Sequence, residues 1–272
     1  MAKDNPTMEN PLPDAASTSA PCAERPATFE SLLAAMPGAT RRFGAGESVY
    51  HQGEHETRLC LVLEGWLALP RDIEGGAHCL VDFALQGDML GSLLCPDWRT
   101  PHAAVCVTEA WLRVAPRGQA LAALAADPRL DRYVARCRAC SAFREQDHLA
   151  NVVLRRAEAR VAHMLLELCC RVLHGDPRRP SGGVVVPLGL RQMGAALGLT
   201  PVHLSRSLKA LREAGIVAIE HRRIRVLDPP GLARRAGSFN PALADPLPGW
   251  SGSSTSTTRL PKPWPASSRE PC

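Results

Sequence analysis

The chain has 272 residues, 45% of them hydrophobic and 22% charged, which is long enough for two domains and too apolar for a chain disordered throughout. No apolar run approaches the roughly 20 residues that a membrane helix needs, and the first residues lack the apolar core of a signal peptide, so a cytoplasmic protein with no membrane contact is expected. The net charge of +5 is uneven: Asn151 to Gly237 hold 15 Lys and Arg against 6 Asp and Glu, the remainder 17 against 21, which sets an anion-attracting field on the C-terminal half.

Residues 1–26, rich in Pro, Ala, Ser and Thr without apolar periodicity, read as a disordered tail. From 27 to 125, short runs rich in Val, Leu, Cys and Trp alternate with glycine turns, the pattern of a β-roll or barrel. Leu59 to Leu63, Trp66 to Leu69, Cys79 to Leu85 and Ala103 to Val107 are such runs. Asp127-Pro128 then puts a capping residue before a proline and opens a long helix, assigned to 126–154. Its Leu130, Val134, Cys137 and Ser141 recur near every 3.5 residues and predict the seam of two parallel helices. Arg144, Glu145, Gln146 and Asp147 interrupt that seam as a solvent-facing stretch or a polar contact that fixes register. In the domain assigned to 155–237, Val161, Met164, Leu165, Leu168 and Val172 follow on an amphipathic helix.

The run from Gly189 to Leu208 reads as two short helices about a tight turn. Gly198 supplies a residue tolerant of positive φ, and the small Gly194 and Ala195 let the helices approach. Thr200 is an N-cap and Pro201 suits the first helical position. Leu204, Leu208 and Leu211 face inward, leaving Val202, His203, Ser205, Arg206 and Lys209 outward. Ile216 to Ile219 and Ile224 to Leu227 are β-prone runs that bracket a basic tip, His221-Arg222-Arg223. Helix, turn, helix and hairpin describe a winged helix-turn-helix, whose expected partner is double-stranded DNA. The last segment, 238–272, is a second expected disordered tail.

Ten cysteines without an export signal are read as small buried apolar side chains rather than a disulfide framework. Cys137 and Cys140 share one helical face between arginines and form a candidate redox pair. His148 and His163 read as packed or surface histidines. There is no P-loop, no dinucleotide fingerprint, no His-Glu-x-x-His and no nucleophile elbow, so neither catalytic residues nor a metal site are expected and the chain does not read as an enzyme.

The order of parts resembles the Crp/Fnr family of bacterial transcription regulators over roughly residues 29 to 236. Phe43-Gly-Ala-Gly46-Glu47-Ser-Val-Tyr50-His-Gln-Gly53-Glu54 resembles its opening hairpin, and Leu61-Val-Leu-Glu-Gly65-Trp-Leu-Ala-Leu its next strand pair. Gly87-Asp88-Met-Leu-Gly91-Ser92 resembles the turn before the phosphate cassette, and Leu197 to Leu208 the recognition element. The resemblance implies an α+β fold: a cyclic-nucleotide-binding-like β-roll, a long dimerisation helix and a C-terminal winged helix-turn-helix. It also implies a homodimer on a near-palindromic operator, with recognition helices about 34 Å apart, and contact with RNA polymerase.

By position, Val202, Ser205 and Arg206 match the family's base-reading sites, Arg206 being suited to guanine. Thr200, His203, Lys209, Arg222 and Arg223 are assigned to phosphates. Val202 stands where many members carry glutamate. In the β-roll, Gly91, Ser92, Arg99 and His102 are the candidate effector pocket. Cyclic-nucleotide binders carry glutamate where Ser92 stands, and losing that partner of the ribose hydroxyl costs roughly 1.5 to 3 kcal/mol, which predicts weak cyclic-nucleotide binding. Cys22 alone precedes the β-roll, against an N-terminal iron-sulfur cluster; the effector is left open. The second reading is a small-molecule or redox sensor whose output is a protein–protein contact.

Overall fold

The computed structural model describes residues 33–74, 78–91, 99–175, 183–220 and 223–237. Both expected tails, Ser92, and His221 and Arg222 at the hairpin tip lie outside the described residues.

Residues 39–116 form two four-stranded antiparallel sheets. One has the order β1 (Ala39–Phe43), β8 (Ala110–Pro116), β3 (Arg58–Glu64), β6 (Met89–Leu90). The other runs β2 (Ser48–Tyr50), β7 (Ala104–Cys106), β4 (Leu67–Asp72), β5 (His78–Ala84). Phe43, Tyr50, Cys60, Val62, Leu67 and Leu112 are among the side chains that fill the space between the sheets. In β3 the alternate residues Leu59 and Leu61 turn the other way, onto α1 (Arg117–Ala126) and α2 (Pro128–Leu154). Covered on both faces, β3 therefore reads as an unbroken apolar run instead of an alternating one.

The Asp127 carboxylate accepts the Arg129 N–H at 2.9 Å and Pro128 opens α2, as the cap-plus-proline pattern predicts. The residues of the predicted helix seam face inward instead. Leu130, Val134 and Cys137 are buried within this one chain, against Leu59, Leu61, Ala115 and Ala120 of the β-roll and α1. A 3.5-residue spacing cannot tell a partner helix from a sheet face. Nor does Arg144 face solvent, being 2% exposed.

After α3 (Ala157–Gly175) come β9 (Val184–Val186), α4 (Leu190–Leu197), α5 (Pro201–Glu213), β10 (Val217–Glu220), β11 (Arg223–Val226) and α6 (Pro229–Ala236). The wing sheet has the order β10-β11-β9, antiparallel, with Val217 opposite Val226 and Glu220 opposite Arg223. The sequence reading lacks α1, β9 and α6. β9 is only three residues, and α6 opens Pro-Pro-Gly, which looks like a loop. Asp228 caps α6 by accepting the Gly231 N–H at 2.9 Å. One apolar cluster joins Val161, Leu165 and Leu168 of α3 to Leu204, Leu208 and Leu211 of α5 and continues into Ala68, Phe83 and Leu85 of the β-roll.

Candidate nucleic-acid interface

α4 and α5 meet at Gly198, whose φ of 60° and ψ of 35° lie in the left-handed region that favours glycine. Leu199 N–H closes the turn on the Gly194 carbonyl at 3.1 Å. A Cβ at Gly194 would lie 2.9 Å from the Leu199 oxygen, so the predicted close approach is tight enough to exclude a larger side chain without movement. Thr200 has extended φ and ψ, and its Oγ1 accepts the His203 N–H at 3.4 Å, with Pro201 in the first turn.

Leu204, Ser207, Leu208 and Leu211 are the buried face of α5. Ser207 Oγ donates to the His203 carbonyl at 3.0 Å, so its hydroxyl is satisfied inside the helix. Val202, His203, Ser205, Arg206, Lys209 and Arg212 are exposed, Val202 by 66%. Among the described residues, Arg206 has no ion-pair partner, so its five N–H donors face outward. Lys209 Nζ lies 3.7 Å from Glu213 on the exposed surface. Arg223 is exposed at the start of β11.

A groove of about 650 Å³ runs between α5, the start of α4 and the wing. Ser205, Lys209 and Arg212 line one wall, and Arg191, Ile219 and Ile224 stand among the residues of the other. Arg191 and Arg212 were not singled out in the sequence. The spacing of Ser205, Lys209 and Arg212, four and then three residues, could have indicated Arg212; Arg191 joins it only through tertiary structure.

The β-roll candidates separate. Gly91 has φ +99°, and a Cβ there would stand 2.3 Å from the Arg58 carbonyl oxygen, which explains the glycine by packing alone. Arg99 is exposed and donates through Nη1 to the Gly53 carbonyl at 2.7 Å. The half-buried His102 lies 3.1 Å, through Nδ1, from the Ala103 carbonyl, with its ring 6.1 Å from that of Tyr50. Arg99 and His102 thus serve the 99–103 strand end, which pairs with the 51–54 turn through Gly53 N–H to Thr100 and Thr100 N–H to Glu54. Neither is joined to Gly91 by a contact among the described residues. Cys137 and Cys140 are buried, and Cys137 Sγ lies 3.6 Å from the Gly87 carbonyl, which accepts its S–H. Burial, then the charge of Asp88, pushes the Cys137 thiol up to about 12, so little Cys137 thiolate forms near neutrality and this thiol packs with Leu130 and Val134 in the core.

Residues 159–235 match the family profile described as a Crp-like helix-turn-helix domain, and 40–127 that of the cyclic nucleotide-binding domain. The chain is 30% identical over 217 residues to the nitrogen fixation regulation protein FixK of Bradyrhizobium diazoefficiens, covering 78% of this chain and 87% of that protein. It is 28% identical over 198 residues to the transcriptional regulator LdrP of Thermus thermophilus, covering 73% and 97%. Among solved structures, FixK2 from Bradyrhizobium japonicum superposes with a TM-score of 0.65 at 22% identity, over 75% of this chain and all of that one. A CRP-family transcriptional regulator from Thermus thermophilus does so with a TM-score of 0.58 at 26% identity, over 73% and 97%.

Proposed function

The chain belongs to the Crp/Fnr family of transcriptional regulators, and from that premise we propose that it binds a near-palindromic operator as a homodimer. The observation that carries this reading is the outer face of α5: a capped helix that offers Val202, Ser205 and Arg206, which has no ion-pair partner among the described residues, to solvent beside a groove edged by Lys209, Arg212 and Arg191. Arg206 can bond bidentately to guanine O6 and N7. Lys209, Arg212, Arg191 and Arg223 are spaced around it to meet phosphates, with Thr200 and His203 at the helix N-terminus. Val202 has no hydrogen-bonding group for cytosine and suits a thymine methyl.

The dimer contact lies on α2. Its exposed Ala135, Ala139, Ala142, Gln146, Leu149 and Val153 follow a four-three spacing along one stripe, which is a coiled-coil seam. Leu149 and Val153 are 66% and 65% exposed, more apolar surface than a lone helix gains by leaving in water. The alanines let the two helices approach closely in the first half of the seam. How a bound dimer affects RNA polymerase then depends on where the operator lies relative to the promoter.

The β-roll is read as the input. Without a carboxylate after Gly91, and with Arg99 engaged by the Gly53 carbonyl, we do not assign a cyclic nucleotide to it.

The test is selection of duplexes from a random pool at about 0.15 M salt, where purely electrostatic binding is weak. The wild type should enrich a near-palindrome, with affinity falling steeply as salt rises. Arg206→Ala should lose about 1 to 3 kcal/mol and blur the consensus at two symmetric positions. No enrichment by the wild type, or binding indifferent to salt, would overturn the reading and favour a protein-docking surface.

A further inference from the structure

A cluster of charges, all buried except the half-buried His148, joins the three parts of the molecule. Asp82 on β5 and Asp88 in the following turn come from the β-roll, Arg144 and His148 from α2, and Glu167 and Arg171 from α3. Arg144 Nε reaches Asp82 at 3.0 Å and Nη2 reaches Asp88 at 3.3 Å. Arg171 reaches the same two carboxylates at 3.4 and 2.5 Å, donates to the Phe83 carbonyl at 2.6 Å, and touches Glu167 at 3.2 Å. Three of its four partners are thus in the β-roll, although Arg171 itself is on the helix that carries the winged unit.

His148 closes the charge balance. Nδ1 lies 3.2 Å from the Val81 carbonyl and Nε2 lies 2.6 Å from the Glu167 carboxylate. Both neighbours only accept, so both ring nitrogens must donate and the ring is an imidazolium. Three cations then face three carboxylates. Asp82, His148 and Glu167 are close enough together to ligate a cation, but the guanidinium groups already fill that role for the carboxylates and the imidazolium has no lone pair to give.

A wholly apolar junction would hold at least as firmly, because paired charges lose their water on burial. Charges differ in what happens when the junction opens: each ion is rehydrated, so the open state is accessible in a way that exposing only Phe83 and Leu85 would not allow. We infer that Asp82, Asp88, Arg144, His148, Glu167 and Arg171 form a latch that clamps the winged unit to the β-roll and fixes the orientation of α5 relative to α2. Opening it frees the recognition helix to reorient. The effect on DNA rests on the operator reading above; the latch itself does not.

Hydrogen exchange on the full chain, for wild type, Arg171→Gln and the milder His148→Gln, tests this. The expected result is exchange faster by about tenfold or more in β5 and α4, with β3 and β8 unchanged, larger in Arg171→Gln than in His148→Gln. Operator affinity should shift by at least about fivefold in the same order. Faster exchange throughout, β3 and β8 included, would make the cluster a fold-wide support and overturn the latch, and so would unchanged exchange in both variants. If Arg171→Gln fails to fold, His148→Gln decides alone by the same criteria. Faster local exchange with unaltered affinity would overturn the coupling to α5. A wild type that binds no operator would count against the DNA reading, while the exchange result still decides the latch.

Discussion

His148 shows how much one titratable side chain can do at a junction. Burial alone would lower its pKa; the charge of Glu167, the hydrogen bond to it, Asp82 and the Val81 carbonyl outweigh burial and raise it from 6.5 to about 9. Facing it are Asp82 and Asp88 from the β-roll, Arg144 and Asp147 on its own helix, and His163, Glu167 and Arg171 on α3. Burial lowers the pKa of His163, partly offset by Asp147. A raised folded-state pKa contributes stability that is fully present below 6.5 and lost as pH rises through about 9. A lowered histidine pKa does the reverse, its contribution falling away below 6.5. Stability should therefore peak between the two and decline by about 2 to 3 kcal/mol from pH 6.5 to 9.5. Urea unfolding across that range checks it: His148→Gln should flatten the alkaline decline, and a decline equally steep in that variant would show that another group causes it.

At the scale of elements, α2 carries two apolar stripes, one covered within the chain and one bare. Val134 lies on the stripe facing β3 and α1 and is 5% exposed, whereas Leu149 lies on the bare one. Leu149→Asp should then give a folded monomer by light scattering, its operator affinity much reduced, because two carboxylates would oppose each other across the two-fold axis. Val134→Asp should instead cost several kcal/mol of folding stability, since its charge has no partner in that core. A folded monomer from Val134→Asp, with Leu149→Asp still dimeric, would restore the stripe first read from the sequence. That first reading failed for a definite reason: heptad spacing reports that one helix face is covered, not by what. The recognition helix was legible because its signals are local, namely Gly198 in the turn, the Thr200 cap and Pro201 at the first position. The pairing of Arg144 and Arg171 with Asp82 was not, because a charge on an amphipathic helix reads as solvated until tertiary structure brings its opposite from 62 and 89 residues away.

For the whole molecule, the question is whether β-roll and winged helix behave as two bodies or one. Units joined within a chain are expected to move independently unless their interface is large and apolar. Here Ala68, Phe83 and Leu85 of the β-roll enter the winged unit's core, with Trp66, Leu80 and Val107 packed against it, and the charge cluster reinforces this apolar contact. Removing Arg171 leaves three buried carboxylates sharing two cations, Arg144 and His148, an uncompensated charge that costs about 3 to 5 kcal/mol, a large share of the 5 to 15 kcal/mol that about one domain retains. In calorimetry at pH 7 the wild type should therefore unfold in a single transition whose van't Hoff and calorimetric enthalpies agree for the dimer, with Tm rising with protein concentration. Arg171→Gln should separate it into two transitions, the winged unit melting first, because that unit keeps only the apolar part of its attachment. Two resolved transitions already present in the wild type would mean that the two units are uncoupled, and the charge cluster would then stabilise each side without linking them.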